Sequence, residues 1–171
     1  MDQVLLGNIL SFLASAIMVL GGFIKSKKRL LTVQIFMFAL FTAANLTLGA
    51  VTGAITNSLS IVRNLVTLCT EFTLPFKVAF AAAEVILCAV FNKVGLIGWL
   101  PAAAVCLYTW SLSSKNLKTI KLAIILTQAL WFVYDLYYKN YISTAFDVFT
   151  ILSNVIGIRM LLKDEKKSLG N

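Results

Sequence analysis

The sequence predicts an all-α membrane protein with seven transmembrane helices, arranged as two parallel three-helix bundles joined by one inverting linker helix (3+1+3). Of the 171 residues, 60% are hydrophobic and only 13% are charged, whereas a soluble domain usually carries roughly 25% charged residues. Because each transmembrane helix needs about 20 residues, seven helices use most of the chain. The remainder is too short for a soluble catalytic or nucleic-acid-binding domain.

Seven apolar segments follow one another along the chain. They cover roughly residues 4–24, 30–50, 52–70, 77–92, 95–112, 119–138 and 142–162. Gly49 to Gly53 join segments two and three, and Lys139 with Asn140 joins segments six and seven, so both pairs are predicted to form tight hairpins. The expected bundles are 1–72 and 95–162, with a linker helix at 73–94 and a charged, mobile cytoplasmic tail at 163–171.

The basic residues predict the orientation of these helices. With the N-terminus outside, only Lys93 and Lys139 fall on the outer side, which agrees with the excess of Lys and Arg in cytoplasmic loops. The residues expected on the cytoplasmic side are Lys25, Lys27, Lys28, Arg29, Lys77, Lys115, Lys118, Lys121, Arg159, Lys163, Lys166 and Lys167. The net charge of +8 is therefore explained by topology and anionic lipid headgroups, and no nucleic acid is expected as a partner.

Several classes of site are absent from the sequence. The chain has no histidine, which excludes imidazole bases and histidine-based metal sites. Cys69, Cys88 and Cys106 are isolated in apolar sequence and are read as small buried hydrophobic residues. No nucleophile or metal constellation surrounds the acidic residues, so we expect neither an enzyme nor a bound cofactor or metal.

A weak internal repeat relates the two halves of the chain. A shift of 90 residues, read directly from the sequence, lays Asn45 on Asp135, Asn57 on Asp147 and Asn64 on Asn154. Polar residues inside membrane helices are rare and costly, so these matches carry more weight than apolar ones. Two units of the same orientation need an odd number of helices between them, and segment four supplies that helix. Transporters built from parallel repeats commonly bind their solute between the halves.

The polar residues of segments three, six and seven are the candidate binding site. We expect a solute cavity lined by Asn57, Asn64, Trp131, Tyr134, Asp147 and Asn154. Trp131 and Tyr134 lie one helical turn apart, as in an aromatic platform that stacks against a ring. The alternative is that the amides only join helices by hydrogen bonds, and that the aromatic residues belong to an interfacial belt.

The ionisable residues among these segments have two interpretations. Asp147 is a candidate proton-coupling group or a counter-charge for a cationic solute, and Asp135 is a second acidic candidate. The alternative is a structural ion pair, in which Arg63 pairs with Asp147 or with Glu84. The sequence leaves this pairing open.

Some of these residues carry a family resemblance. Trp131 and Tyr134, followed by Asp147 at sixteen residues beyond the tryptophan, resemble the W-x-x-Y and substrate-contacting Asn of the SWEET and PQ-loop transporter superfamily, to which PnuC vitamin transporters also belong. The matching positions of the first half are Phe41, Ala44 and Asn57. The resemblance implies a 3+1+3 transporter fold.

The whole chain more narrowly resembles the YgjV family of bacterial inner-membrane proteins. That resemblance rests on Gly53-Ala54 followed by Arg63, on Trp131 with Tyr134-Asp135, and on Asn154 followed by Arg159. It implies a multi-pass protein of the bacterial inner membrane.

The expected function is a facilitator or proton-coupled carrier that moves a sugar, nucleoside, vitamin or other small polar solute by alternating access. Its expected partners are that solute and membrane lipids, and the sequence also allows a homo-oligomer. The alternative is a non-transporting inner-membrane interaction or assembly protein. The two differ in whether the polar residues face a cavity or are sealed in helix contacts.

Overall fold

A computed structural model describes residues 3–169, and this part of the chain is all-helical with no strand. It contains seven α-helices and one short 3-10 helix, Gly95–Trp99, which leads directly into α5. The α-helices are α1 (Gln3–Gly21), α2 (Lys27–Thr47), α3 (Val51–Cys69), α4 (Leu74–Phe91), α5 (Leu100–Ser111), α6 (Leu117–Tyr137) and α7 (Tyr141–Leu169).

Five of these helices are long and apolar enough to cross a membrane, namely α1, α2, α4, α6 and α7. Helix α3 has 19 residues but is more polar, and most of its polar side chains between Thr52 and Asn64 are buried inside the protein, whereas Ser58 is exposed. Helix α5 has only 12 residues and forms a longer apolar segment together with the 3-10 helix before it. Many large apolar side chains are exposed instead, as on Leu20, Phe36 and Val90, which suits a surface that faces lipid.

Helix α7 is longer than a membrane requires. Its 29 residues span about 43 Å at the usual rise of an α-helix, whereas the hydrocarbon core of a bilayer is about 30 Å thick. The helix continues to Leu169, through most of the segment that the sequence predicted as a mobile tail. The rest of that segment, Gly170 and Asn171, lies outside the described residues.

The helices pack in a closed ring of six. Extensive contacts join α1 to α2, α2 to α3, α5 to α6, α6 to α7 and α7 back to α1, and a smaller contact joins α3 to α5. Helix α4 contacts α3 and α5 from outside this ring. If α1 and α5, α2 and α6, and α3 and α7 exchange their labels, the same six pairs of contacting helices result.

The two short hairpin loops have the same backbone structure at a spacing of 90 residues. Gly49 and Lys139 occupy the middle of these loops with φ of 72° and 56°. The amide of Ala50 donates to the carbonyl of Asn45 at 2.8 Å, and that of Asn140 donates to the carbonyl of Asp135 at 2.9 Å. The shift read from the polar residues therefore also relates a positive φ and a backbone hydrogen bond in the two loops.

One end of the bundle, which we call the basic end, gathers the α1–α2 loop, the α5–α6 loop and the end of α7. Ion pairs join Lys25 to Asp164 at 2.5 Å and Lys118 to Glu165 at 2.8 Å. An apolar cluster fills the interior beside this end. It consists of Leu30, Leu31, Phe72, Tyr108, Leu112, Ile120, Ala123 and Ile124.

Two lysine contacts, one partly buried and one buried, cross between the halves near the basic end. Lys27 of α2 donates to the carbonyl of Leu112, which follows α5. Lys121 of α6 donates to the carbonyl of Gly22, which follows α1, at 2.6 Å. Carbonyl groups at helix C-termini lack intrahelical partners and favour a nearby cation, so each lysine stabilises a helix end in the opposite half.

Candidate functional site

A cavity of about 70 Å³ lies inside the ring of helices. Side chains from α1, α2, α3, α5, α6 and α7 line it. Its polar lining includes Asn45, Asn57, Arg63, Asp135, Asp147 and Asn154. Two pairs related by the 90-residue shift, Asn45 with Asp135 and Asn57 with Asp147, therefore face one cavity.

The wall formed by α6 and α7 carries two carboxyl groups. Gln128 donates to Oδ1 of Asp147 at 2.5 Å, whereas Oδ2 of Asp147 is buried without a hydrogen-bond partner among the described residues. Asn140 donates to Asp135 at 3.4 Å, and the two carboxyl groups are close enough to interact electrostatically. This wall can accept hydrogen bonds and could hold a proton.

The opposite wall carries a buried guanidinium. Arg63 is 1% exposed and donates to Oγ1 of Thr109 at 3.2 Å and to Oδ1 of Asn64 at 3.2 and 3.4 Å. Its guanidinium lies 4.8 Å from the centre of the Tyr108 ring. Gln34 completes the network by accepting from Asn64 at 3.1 Å and from Tyr108 at 2.9 Å.

The structure forms neither ion pair that the sequence suggested for Arg63. Within residues 3–169, no carboxylate oxygen lies within 4.0 Å of its guanidinium, because the ion pairs found there involve only Lys25 and Lys118. Glu84 is 1% exposed on α4 and accepts from Thr56 of α3. It interacts with Arg63 electrostatically without contacting it.

The predicted site residues divide into two groups. Asn57, Trp131, Asp147 and Asn154 line the cavity, as do Arg63 and Asp135.

Asn64, Tyr134 and Glu84 form its supporting contacts. Asn64 binds Arg63 and Gln34, and the hydroxyl of Tyr134 binds Thr52 and Gly53 of α3. Tyr134 also packs edge-on against Trp131, with ring centres 5.5 Å apart, so it holds the tryptophan rather than facing the cavity.

Sequence reasoning missed the contribution of α5. Tyr108 and Thr109 provide the ring face and the hydroxyl that contact Arg63, yet both residues are unremarkable in an apolar helix. The sequence did contain a signal for this contact, because a buried arginine needs hydrogen-bond acceptors and Thr109 is one of the few polar residues of α5.

Apolar helices that surround a cavity with buried polar side chains in its lining are typical of a multi-pass membrane protein. Residues 5–165 match the model of the family Imp-YgjV, whose description is bacterial inner membrane protein. The chain belongs to this family, and its apolar helices fit a multi-pass protein of the bacterial inner membrane. No curated protein and no solved structure matches the chain.

Proposed function

We propose that this protein is a membrane transporter that moves a small polar solute by alternating access, as a facilitator or a proton-coupled carrier. The observation that carries the proposal is the cavity between the halves, lined by repeat-related polar residues. Side chains that served only to join helices would be sealed in contacts with one another. Transport also explains why costly polar groups are kept inside membrane helices, whereas no observation favours an assembly role or an enzyme.

The proposed arrangement is 3+1+3, as in the SWEET and PQ-loop superfamily that the sequence resembles. Helices α1–α3 and α5–α7 form the two units, and α4 connects them from outside the ring. The matched hairpin loops support this division. Rocking of one unit against the other would expose the cavity to each side in turn.

In the proposed mechanism, amide and carboxyl groups replace the hydration shell of the solute. Asn57 and Asp147 contact it from α3 and α7, and Asn154 contacts it further along α7. Trp131 supplies a flat apolar face for stacking. Asp147 and Asp135 are the candidates for carrying a coupled proton.

The test is uptake into liposomes that contain the purified protein. Labelled sugars, nucleosides and B vitamins are presented to the wild type and to Asn57→Ala and Asp147→Asn. We expect at least a tenfold loss of uptake in both variants, because each loses a polar contact with the solute. Uptake in the two variants equal to that of the wild type would contradict the assignment of the site.

Matched controls change the same residue types outside the cavity. Asn8→Ala removes an amide that binds the carbonyl of Val4 within α1, and Asp164→Asn removes a carboxylate at the basic end. Both variants should transport as the wild type does. A loss of uptake in these controls as large as in the cavity variants would indicate a general effect on folding.

A further inference from the structure

Arg63 presents the most unusual electrostatic environment in the cavity wall. Its side chain remains charged at every physiological pH, it is buried, and its contacts are neutral groups: a hydroxyl, an amide oxygen and aromatic rings. A guanidinium has five N–H donors. The three hydrogen bonds to Thr109 and Asn64 leave two N–H groups without a partner in the described part of the chain.

Neither acidic side chain nearby contacts Arg63, and each has only one oxygen with a hydrogen-bond partner among the described residues. On the wall opposite Arg63, Asp147 accepts from Gln128, and on the α4 side of α3, Glu84 accepts from Thr56. A buried charge without a contacting counter-ion costs several kcal/mol. The protein therefore keeps a cation at the cavity surface without a contacting counter-ion.

Unpartnered polar atoms lie beside the same space. Ser60 is one turn before Arg63 on α3 and also lines the cavity. The Ser60 hydroxyl and Oδ1 of Asn154 are both buried without a hydrogen-bond partner among residues 3–169. A hydroxyl donor next to a guanidinium with free N–H groups matches the oxygens of a carboxylate or phosphate.

We propose that Arg63 and Ser60 bind the anionic group of the solute, and that the solute is a small oxyanion such as a carboxylate or a phosphate. This inference rests on the proposed transport function and specifies the chemical class of its substrate. The cavity volume of about 70 Å³ suits a small solute, since one water needs about 10–15 Å³ of such space. Asn57, Asp147 and Asn154 then face the uncharged part of the solute, as in the proposed mechanism.

The first test compares an anion with a neutral analogue of the same shape in wild-type protein. Binding of lactate, acetate and inorganic phosphate is measured by calorimetry in detergent at neutral pH, beside lactamide and acetamide. We expect at least one of the three anions to bind. If the anionic group of the solute is a carboxylate, lactate and acetate should bind at least tenfold more tightly than lactamide and acetamide. Tight binding of phosphate alone would assign the phosphate class instead.

The second test uses two substitutions of the arginine. Arg63→Met removes the charge and keeps an unbranched chain, so anion binding should fall at least tenfold. Arg63→Lys keeps the charge without the planar fork and should bind with intermediate affinity. Arg159→Met is the matched control, because it removes the same charge from an exposed arginine of α7 that does not line the cavity, and it should leave anion affinity within twofold.

Several results would overturn the inference. These are no binding of any of the three anions, equal binding of lactate and lactamide, or unchanged anion binding in Arg63→Met. An equal loss in Arg159→Met and Arg63→Met would also overturn it, since the effect would then not depend on the cavity. The comparison of anions with amides uses wild-type protein, so it does not depend on the folding of any variant. If a neutral solute is taken up and its uptake depends on Asn57, the proposed transport function stands and only the assignment of an anionic solute is wrong.

Discussion

The phenolic oxygen of Tyr134 joins α6 to the first turn of α3. It accepts from the amide of Gly53 at 3.0 Å and lies 2.9 Å from Oγ1 of Thr52. The first amides of a helix have no intrahelical acceptor, so Tyr134 supplies one from the other half of the chain. A Cβ at Gly53 would come within 3.0 Å of the tyrosine ring, so a glycine permits this contact.

Tyr134→Phe should therefore destabilise the protein by about 1–3 kcal/mol, because a buried amide loses its acceptor. The measurement is the melting temperature of purified protein in detergent. Tyr137→Phe is the control, since its ring is 53% exposed and the same hydroxyl is removed. A melting temperature of Tyr134→Phe equal to that of Tyr137→Phe would show that the cross-helix hydrogen bond contributes nothing.

The hairpin loops show how two elements of different sequence adopt one geometry. Leu48-Gly49-Ala50 and Tyr138-Lys139-Asn140 each reverse the chain through a central residue with positive φ. Glycine adopts this conformation without steric cost, whereas a side chain such as that of lysine does so at a cost. The backbone of the first loop is thus less strained than that of the second.

Substitutions of the two central residues are expected to change the stability of the protein in opposite directions. Gly49→Ala should destabilise the protein by about 1 kcal/mol, and Lys139→Gly should stabilise it by a similar or smaller amount. A Cβ at Gly49 meets no atom within 4 Å, so only the backbone conformation is tested. Melting temperatures that shift in the same direction for both variants would contradict the shared loop geometry.

At the scale of the whole molecule, positive charge is concentrated at the basic end. Lys25 and Lys118 pair there with acidic residues of α7, and Lys27 caps α5. Because cytoplasmic loops carry an excess of basic residues, the basic end is expected to face the cytoplasm. The same orientation places the N-terminus outside and the C-terminus inside.

Cysteine labelling in intact cells measures this orientation. In a variant without Cys69, Cys88 and Cys106, a cysteine at Lys139 should react with a membrane-impermeant maleimide from outside. A cysteine at Lys115 should react only after the cells are permeabilised. The reverse pattern of labelling would show that the basic end faces outward.

The sequence predicted the helices well because the signals are local. Apolar stretches and breaks at Gly49 and Lys139 located them to within a few residues, and the family resemblance was confirmed over residues 5–165. Orientation, 3+1+3 arrangement and solute remain predictions. The end of α7 was harder to predict, because its charged last turns are held by ion pairs with Lys25 and Lys118, which are distant in sequence.

The sequence by itself determined the membrane class, the seven helices and the spacing at which polar residues repeat, since hydrophobicity and spacing are read directly along the chain. Only the tertiary structure decided what each polar side chain faces. In the folded protein Asp147 faces the cavity, and Tyr134 and Asn64 form supporting hydrogen bonds within its walls. Arg63 has no contacting carboxylate among the described residues. The reason is physical: the partners of a buried polar group come from other helices, and their rotation and packing are set by the whole bundle.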